Sequence, residues 1–144
     1  MYTTLLWATD GSPDADLALD EALRLLAPGG KLLAFHCDQH FLGTRAGGLP
    51  VLADETDRRV RISEQVAELR DRGIDAELHV TSTSHSPAEE IASAAQELHV
   101  QAIVCGTRGL GGLQGALLGS VSRELLHRAH VPVVVVPARV PATA

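Results

Sequence analysis

Short apolar runs alternate with longer amphipathic stretches along the whole chain. The apolar runs predict five strands, at 3–9, 31–37, 76–80, 102–105 and 133–136. Between them, apolar residues recur every three or four positions, which predicts helices at about 13–26, 53–72, 86–98 and 120–129. This alternation implies right-handed crossovers and an open, doubly wound α/β fold. We therefore expect a mostly parallel sheet with helices on both faces.

Local signals mark where the predicted elements start and stop. Ser12 is a good N-cap residue for the first helix, and Pro28-Gly29-Gly30 is predicted to stop that helix. Gly73 suits a left-handed end of the second helix. Ser86-Pro87-Ala88-Glu89 has the spacing of a capping box at the start of the third helix. The segment from about Gln39 to Pro50 is predicted to be a loop.

Composition narrows the class of protein. The 144 residues suit one domain over residues 1–144, with a frayed tail after about 138. The net charge is −6 and there is no long basic run, which argues against a nucleic-acid surface. An anionic small ligand stays open because backbone dipoles bind phosphate. No apolar run is long enough to span a bilayer and no leader pattern is visible, so we expect a cytoplasmic protein without a membrane partner.

A glycine-rich stretch is the first candidate site. Six of the 13 glycines fall between Gly106 and Gly119, after the fourth strand and before the helix that opens at Ser120. Gly106, Gly109, Gly119 and Ser120 form the spacing G-x2-G-x9-G-S. Glycine lets a ligand approach backbone N–H groups, and a helix N-terminus favours phosphate. The stretch predicts a nucleotide phosphate site rather than a flexible surface loop, although it matches neither the Walker nor the dinucleotide fingerprint.

A second candidate lies at the end of the first strand, in Ala8-Thr9-Asp10-Gly11-Ser12. Ligands of open α/β sheets sit outside the carboxyl ends of the strands, where the strand order reverses. If the first and fourth strands are neighbours there, Asp10 and Gly106 face the same crevice. The Asp10 carboxylate could accept hydrogen bonds from ribose hydroxyls or from water on Mg²⁺, or it could only help to cap the helix at Ser12.

Together these features resemble the universal stress protein family, and specifically its ATP-binding subclass. The resemblance covers nearly the whole chain. It implies a Rossmann-like sheet of order 3-2-1-4-5, of the adenine nucleotide alpha hydrolase type, with the crevice between strands one and four. The features that carry it are Thr9-Asp10-Gly11-Ser12, His36, the start of the third helix, the G-x2-G-x9-G-S run with Gly119-Ser120-Val121-Ser122, and the valine strand after Pro132.

The resemblance also implies a set of ATP-binding residues. Ala8, Thr9 and Asp10 would line the ribose and adenine side, and the backbone of Cys37 would meet the adenine. The sequence departs from the family pattern at Cys37, which replaces an aliphatic residue, and at 81–86, which lacks a common glycine. The other implied residues are Gly106, Thr107, Arg108 and Gly109 around the ribose and the α- and β-phosphates, and Gly119, Ser120, Val121 and Ser122 at the outer phosphates.

The implied function is an ATP-binding stress-response module in which ATP stabilises one conformation or assembly. We find no clear catalytic base near the loop, and we interpret Arg108 as a loop cation and Thr107 as a loop hydroxyl. At most slow ATP hydrolysis is therefore expected. Mg²⁺ would be bound mainly through ATP oxygens and waters. The alternatives are a nucleotide-independent dimeric scaffold or chaperone-like protein, and an enzyme that adenylates a substrate, against which the missing substrate lobe argues.

The remaining histidines and the cysteines have simpler interpretations. His127 and His130 lie three apart, and a surface helix face is favoured over a metal site. His36 and His40 are interpreted as polar residues with satisfied hydrogen bonds. The two cysteines of the chain, Cys37 and Cys105, are interpreted as buried small hydrophobic residues rather than redox sensors.

The last predicted strand suggests a partner. Val133–Val136 is apolar and carries no charged residue that would protect a sheet edge, so it invites pairing with another chain. The family resemblance implies the same contact. We predict a two-fold homodimer in which the two final strands pair antiparallel.

Overall fold

The computed structural model describes residues 1–39, 48–83, 86–107 and 118–138, with the backbone alone at 39, 48–54 and 83. The predicted frayed tail after 138 lies outside the described residues. So do His40 and the central part of the glycine-rich stretch. Within the described ranges no helix is long and apolar enough to cross a membrane.

The described residues contain the strands β1 (Tyr2–Ala8), β2 (Leu26–Gln39), β3 (Asp75–Thr83), β4 (Ala102–Gly106) and β5 (Val133–Val136). They form one sheet in the order β3-β2-β1-β4-β5. Every neighbouring pair is parallel, as the alternating pattern predicts. The predicted order 3-2-1-4-5 is confirmed.

Helices cover both faces of this sheet: α1 (Pro13–Leu25), α2 (Gly48–Asp71), α3 (Pro87–Glu97) and α4 (Ser120–Arg128). On one face, apolar residues of α1 and α2 pack on the sheet with Leu5, Trp7 and Val104. On the other face, α3 and α4 pack on it with Leu6, Phe35 and Ile103. The predicted doubly wound arrangement is therefore confirmed.

The start of β2 differs from the prediction. Helix α1 ends at Leu25, and β2 begins at the next residue without an intervening loop. Pro28-Gly29-Gly30 therefore lies inside the strand, where the β1–β2 register shifts between Tyr2 and Thr4. Gly29 has a φ of +75°, which L side chains avoid, so this sequence bends the strand rather than stopping the helix.

Two further local predictions need correction. The predicted loop from Gln39 to Pro50 is too long, because α2 already begins at Gly48. The proposed capping box at α3 does not form: Ser86 is the N-cap residue, but its side chain makes no capping hydrogen bond. Instead its hydroxyl donates to Glu124 Oε2 at 2.5 Å. The hydroxyl thus joins α3 to α4. This tertiary contact replaces the capping hydrogen bond that the local sequence predicts.

Strands β1 and β4 are the neighbours between which the sheet order reverses. Trp7 pairs with Val104 across them, so the residues after each strand emerge at the same edge. The chain leaves β1 towards β2 on one side and reaches β4 on the other side. Such a reversal opens a crevice at the carboxyl ends of the strands.

Candidate functional site

The first wall of this crevice is the tight turn between β1 and α1. Gly11 has a φ of +79° and its N–H donates to Thr9 Oγ1 at 3.1 Å. The N–H of Ser12 donates to Asp10 Oδ1 at 2.9 Å, and Ser12 Oγ caps the helix by accepting from Ala15 N at 3.2 Å. The predicted Ser12 cap is confirmed. Asp10 lies at the crevice and also supports the turn, so both roles considered for its carboxylate are compatible with the geometry.

The second wall begins at the end of β4. A Cβ on Gly106 would lie 2.9 Å from the backbone oxygen of Asp14 in α1. Real Cβ atoms essentially never come this close to backbone, so glycine is required here for packing of α1 on β4. This reason is separate from ligand approach, which was the reason that sequence analysis gave for this glycine.

The two ends of the glycine-rich stretch meet. Thr107 is buried, and its carbonyl accepts a hydrogen bond from Gly119 N at 2.5 Å. The buried Ser122 hydroxyl lies 3.1 Å from both Thr107 O and Gly119 O, and its one proton is directed to these carbonyls. Ser122 therefore closes the stretch from inside the protein. Its predicted contact with the outer phosphates stays a prediction.

Helix α4 begins where the stretch closes. Gly119 is its N-cap residue, Ser120 is exposed and Val121 is half-buried. A glycine N-cap has no side chain with which to occupy the first N–H groups of the helix. These groups and the helix dipole favour an anion at this position. Arg108 and Gly109, the other predicted phosphate ligands, lie outside the described residues.

The adenine side of the predicted set is built from strand backbone. Ala8 is buried, and its side chain packs in the core on the α3 and α4 face. Cys37 is half-buried in β2 and pairs with Thr81 of β3. Burial, followed by the nearby carboxylates of Glu90, Asp38 and Glu55, raises the pKa of the Cys37 thiol to about 11.

Both cysteines are free and remain thiols at neutral pH. Burial raises the pKa of Cys105 to about 11 as well. Since the thiolate is the reactive form, these values favour the interpretation of Cys37 and Cys105 as small packing residues rather than redox sensors.

A charged cluster at the end of β2 was not predicted from the sequence. His36 and Asp38 are each 2% exposed, and Glu55 reaches them from α2. His36 Nδ1 lies 2.8 Å from Thr9 O, and Nε2 lies 2.6 Å from Glu55 Oε1 and 2.9 Å from Asp38 Oδ1. The interpretation of His36 as a satisfied polar residue is therefore confirmed, because both ring nitrogens have partners.

Arginines of α2 complete the cluster. Arg58 Nη1 pairs with Glu55 Oε2 at 3.2 Å, and Arg59 pairs with Asp38 Oδ2. Burial opposes ionisation of Asp38, but the hydrogen bond and the positive charge of Arg59 hold the pKa of its carboxyl below the usual value of 3.8. In the sequence, this cluster was indicated only by a polar residue, His36, at the end of an apolar strand.

The second histidine pair does not form a comparable group. His127 is in the last turn of α4, whereas His130 follows the end of the helix, and both are exposed. Among the described residues, His36, Asp38 and Glu55 are the one set of three or more potential ligands close enough to hold a metal ion. The interpretation of His127 and His130 as surface residues agrees with this geometry.

The fold and the site define an open, doubly wound α/β domain with a crevice at its switch point. The chain belongs to the universal stress protein family: the model described as "Universal stress protein family" matches residues 1–137. A universal stress protein of Mycobacterium tuberculosis is 33% identical over 138 residues, covering 93% of this chain and 45% of the relative. The chain thus spans about half the length of this relative. The protein YxiE of Bacillus subtilis, also a universal stress protein, is 30% identical, with 94% of this chain and 99% of that protein covered.

Solved structures agree with this assignment. A protein of this family from Burkholderia pseudomallei superposes with a TM-score of 0.71 and is 27% identical, covering 95% of this chain and 97% of that one. A universal stress protein described in complex with cAMP has a TM-score of 0.61 and 25% identity, covering 94% and 97%. One from Archaeoglobus fulgidus, described in complex with dAMP, is 22% identical with a TM-score of 0.61 and covers 94% and 97%, and it supports the fold.

Proposed function

We propose that this chain is an ATP-binding universal stress protein that acts as a nucleotide-responsive regulatory or stress-protection module. One observation carries the proposal: β1 and β4 are neighbours at the point where the sheet order reverses. This arrangement brings the Thr9–Asp10 turn and the Gly106–Thr107 strand end to one edge of the sheet. Open α/β sheets bind their ligands at such an edge.

The phosphates would be bound at the start of α4. Thr107 O holds Gly119 N, which fixes the helix end beside the strand end. The exposed Ser120 can donate its hydroxyl, and the first N–H groups of α4 can donate from the backbone. A neutral, donor-rich helix end fits a triphosphate in a chain whose net charge is −6, because it needs no lysine.

The ribose and base would be bound at the β1 end. A carboxylate offers about four lone-pair sites, so Asp10 can accept from Ser12 N and also from a ribose hydroxyl or a water on Mg²⁺. Mg²⁺ would be held mainly by the phosphates. The backbone at Ala8 and Cys37 would contact the base, for which a thiol and an aliphatic side chain are equivalent.

The comparison with solved structures supports an adenine nucleotide as the class of ligand, since a family member 25% identical to this chain is described with cAMP bound. ATP in particular is proposed from the glycine spacing and the helix N-terminus that follows it. Hydrolysis is proposed to be slow at most. A phosphoryl-transfer enzyme needs a positioned water or base, and the sequence offers no clear catalytic base near the loop. ATP would act as a ligand that shifts the population of one conformation or assembly.

The proposal is tested by calorimetric titration of nucleotide-free protein with ATP and Mg²⁺. We expect saturable binding that Gly109→Val abolishes, because side-chain bulk would occupy the space of a phosphate. Ser120→Ala should weaken binding by about 0.5–1.5 kcal/mol, the usual worth of a neutral hydrogen bond. Ser93→Ala, an exposed serine on α3, is the matched control and should bind like wild type.

Two other functions are outcomes of the same experiments. Absence of bound nucleotide, both in acid extracts of freshly purified protein and in the titration, would favour a nucleotide-independent scaffold. Continuous release of pyrophosphate with a candidate substrate would favour an adenylating enzyme.

The homodimer is proposed to form through β5. This strand is at the edge of the sheet, and each of its four valines is half-buried by packing on one chain alone. The opposite edge strand, β3, carries the charged Glu77, which pairs with Lys31 of β2 at 2.7 Å, and charged residues on an edge oppose pairing with another chain. Sedimentation at micromolar concentration should give a dimer, and Val134→Lys should give a monomer. Val80→Lys on β3 is the control and should leave the dimer intact; a wild-type monomer would refute the interface.

A further inference from the structure

The charged cluster at the end of β2 has a geometry that its present partners do not fully satisfy. Its three central atoms are His36 Nε2, Asp38 Oδ1 and Glu55 Oε1, which all lie within 4.8 Å of one another. The carboxylates of Asp38 and Glu55 have the same kind of partners. In each, one oxygen pairs with an arginine of α2 and the other faces the imidazole of His36. Three lone-pair donors therefore converge on one buried point.

The backbone fixes which imidazole nitrogen faces this point. A carbonyl oxygen only accepts hydrogen bonds, so the Nδ1 of His36, 2.8 Å from Thr9 O, must carry a proton. Nε2 then faces the two carboxylates either as an N–H group or as a lone pair. An imidazole whose Nδ1–H donates to a backbone carbonyl is held in the orientation of a metal-ligating histidine.

A proton on Nε2 cannot satisfy both carboxylates. The N–H has one direction, and the hydrogen bond runs to Glu55 Oε1 at 2.6 Å. Asp38 Oδ1 is then left buried without a hydrogen-bond partner among the described residues, although it lies 2.9 Å from Nε2. A buried carboxylate oxygen without a donor is costly. A divalent cation, unlike a proton, contacts all three atoms at once.

We propose that His36, Asp38 and Glu55 form a binding site for a divalent first-row transition-metal ion, Zn²⁺ or Mn²⁺. One imidazole and two carboxylate oxygens form a donor set that suits these ions, with water in the remaining positions. Ligand atoms about 2.0–2.2 Å from such an ion lie roughly 2.8–3.6 Å apart in octahedral or tetrahedral geometry, so binding has to move Glu55 Oε1 away from Nε2, from which it is now 2.6 Å distant. Glu55 can make this movement because it is the most exposed of the three.

The test is metal binding by the full chain without nucleotide, so that ions carried by phosphates do not contribute. After treatment with chelator, the protein is titrated calorimetrically with ZnCl₂ and MnCl₂, and bound metal is counted after dialysis. We expect one ion per chain. His36→Gln should weaken binding by at least about tenfold. Losing a residue that only hydrogen-bonds to a metal ligand already costs about that much, and His36 is a ligand itself. His79→Gln, which removes a half-buried histidine 3.3 Å from Glu77, is the matched control and should bind like wild type.

A second variant keeps the test decisive if His36→Gln does not fold. Glu55→Gln leaves the His36–Thr9 hydrogen bond in place and removes one charged ligand from α2. It should also lose at least about tenfold in affinity. Titration with Co²⁺ adds a spectroscopic readout, because ligation by this site produces visible absorption bands that Glu55→Gln changes. Absence of binding by wild type, or equal binding by wild type and Glu55→Gln, would show that the cluster is an ion-pair network only.

Discussion

Two polar regions lie at the carboxyl edge of the sheet, on opposite sides of β1. At the end of β2, the buried side chains of His36 and Asp38 are paired with residues of α2: His36 with Glu55, and Asp38 with Arg59. At the junction of β4 and α4, the polar groups are backbone and hydroxyl groups of Thr107, Gly119 and Ser122. In the first region, acceptor atoms of three side chains point to one place, which suits a cation. The second region offers backbone N–H donors, which suit an anion. The two sites can therefore be tested separately although both adjoin the same strand.

The largest effect is expected from His36→Ala. It removes the imidazole between two carboxylates and leaves buried carboxylate oxygens without a donor, and such a loss at a charged group costs about 3 kcal/mol or more. The free energy of unfolding from urea titration measures this cost. His79→Ala is the comparison, because the His79–Glu77 pair is much more exposed and solvent screening leaves it with only a small contribution to stability. Equal losses would mean that burial does not distinguish the two pairs.

Gly106→Ala tests the packing of the second region. The new Cβ would lie 2.9 Å from the Asp14 carbonyl oxygen, and overpacking of this kind costs about 1–3 kcal/mol. We expect a lower free energy of unfolding even without nucleotide. If ATP affinity falls while stability is unchanged, Gly106 serves ligand approach and not the contact between α1 and β4.

Substitutions of Ser120 and Ser122 distinguish a role in ligand binding from a role in holding the ends of the glycine-rich stretch together. Ser122→Ala removes the hydroxyl that joins Thr107 O and Gly119 O, and should cost about 0.5–1.5 kcal/mol of stability. Ser120 is exposed, so Ser120→Ala should leave stability within about 0.5 kcal/mol of wild type and lower only the affinity for ATP. Thermal unfolding with and without ATP measures both effects. The reverse pattern would exchange the roles of the two serines.

The smallest effect concerns the thiols. The pKa of Cys37 is raised to about 11 by burial and then by three carboxylates, whereas that of Cys105 is raised by burial alone. A raised pKa means that the thiolate forms only as the pH increases. In a Cys105→Ala background, alkylation of Cys37 should accelerate about tenfold per pH unit from pH 7 to about 9.5 without reaching a plateau. A plateau near pH 8.5 would contradict the negative surroundings of Cys37.

The parts of the molecule that depend on local pattern were predicted well. Buried Ile62, Val66 and Leu69 were placed on one face of α2, and Ser12 was identified as a cap. The parts that depend on a distant residue were not. Ser86 follows a capping-box sequence, yet Glu124 accepts its hydroxyl. Pro28-Gly29-Gly30 has the composition of a turn, yet pairing of β2 with β1 places it within a strand.

The candidate site divides in the same way. Glycine spacing and the strand ends indicated Thr9, Asp10 and the start of α4, because these features lie next to one another along the chain. Glu55 could not be assigned to the His36–Asp38 cluster from the sequence. The periodicity of a helix predicts which of its faces is buried but not which strand residue a given side chain contacts.

The sequence by itself determined the order of strands and helices, their apolar faces and the family resemblance, because these are recorded in short-range spacing. The tertiary structure alone decided which polar groups meet. The approach of α1 to Gly106, the closure of Thr107 on Gly119 and the reach of Glu55 to His36 each depend on how helices pack on the sheet. Packing fixes distances of a few ångströms between residues far apart in the chain, and such distances decide whether a buried charge is paired and whether a carbonyl has a donor.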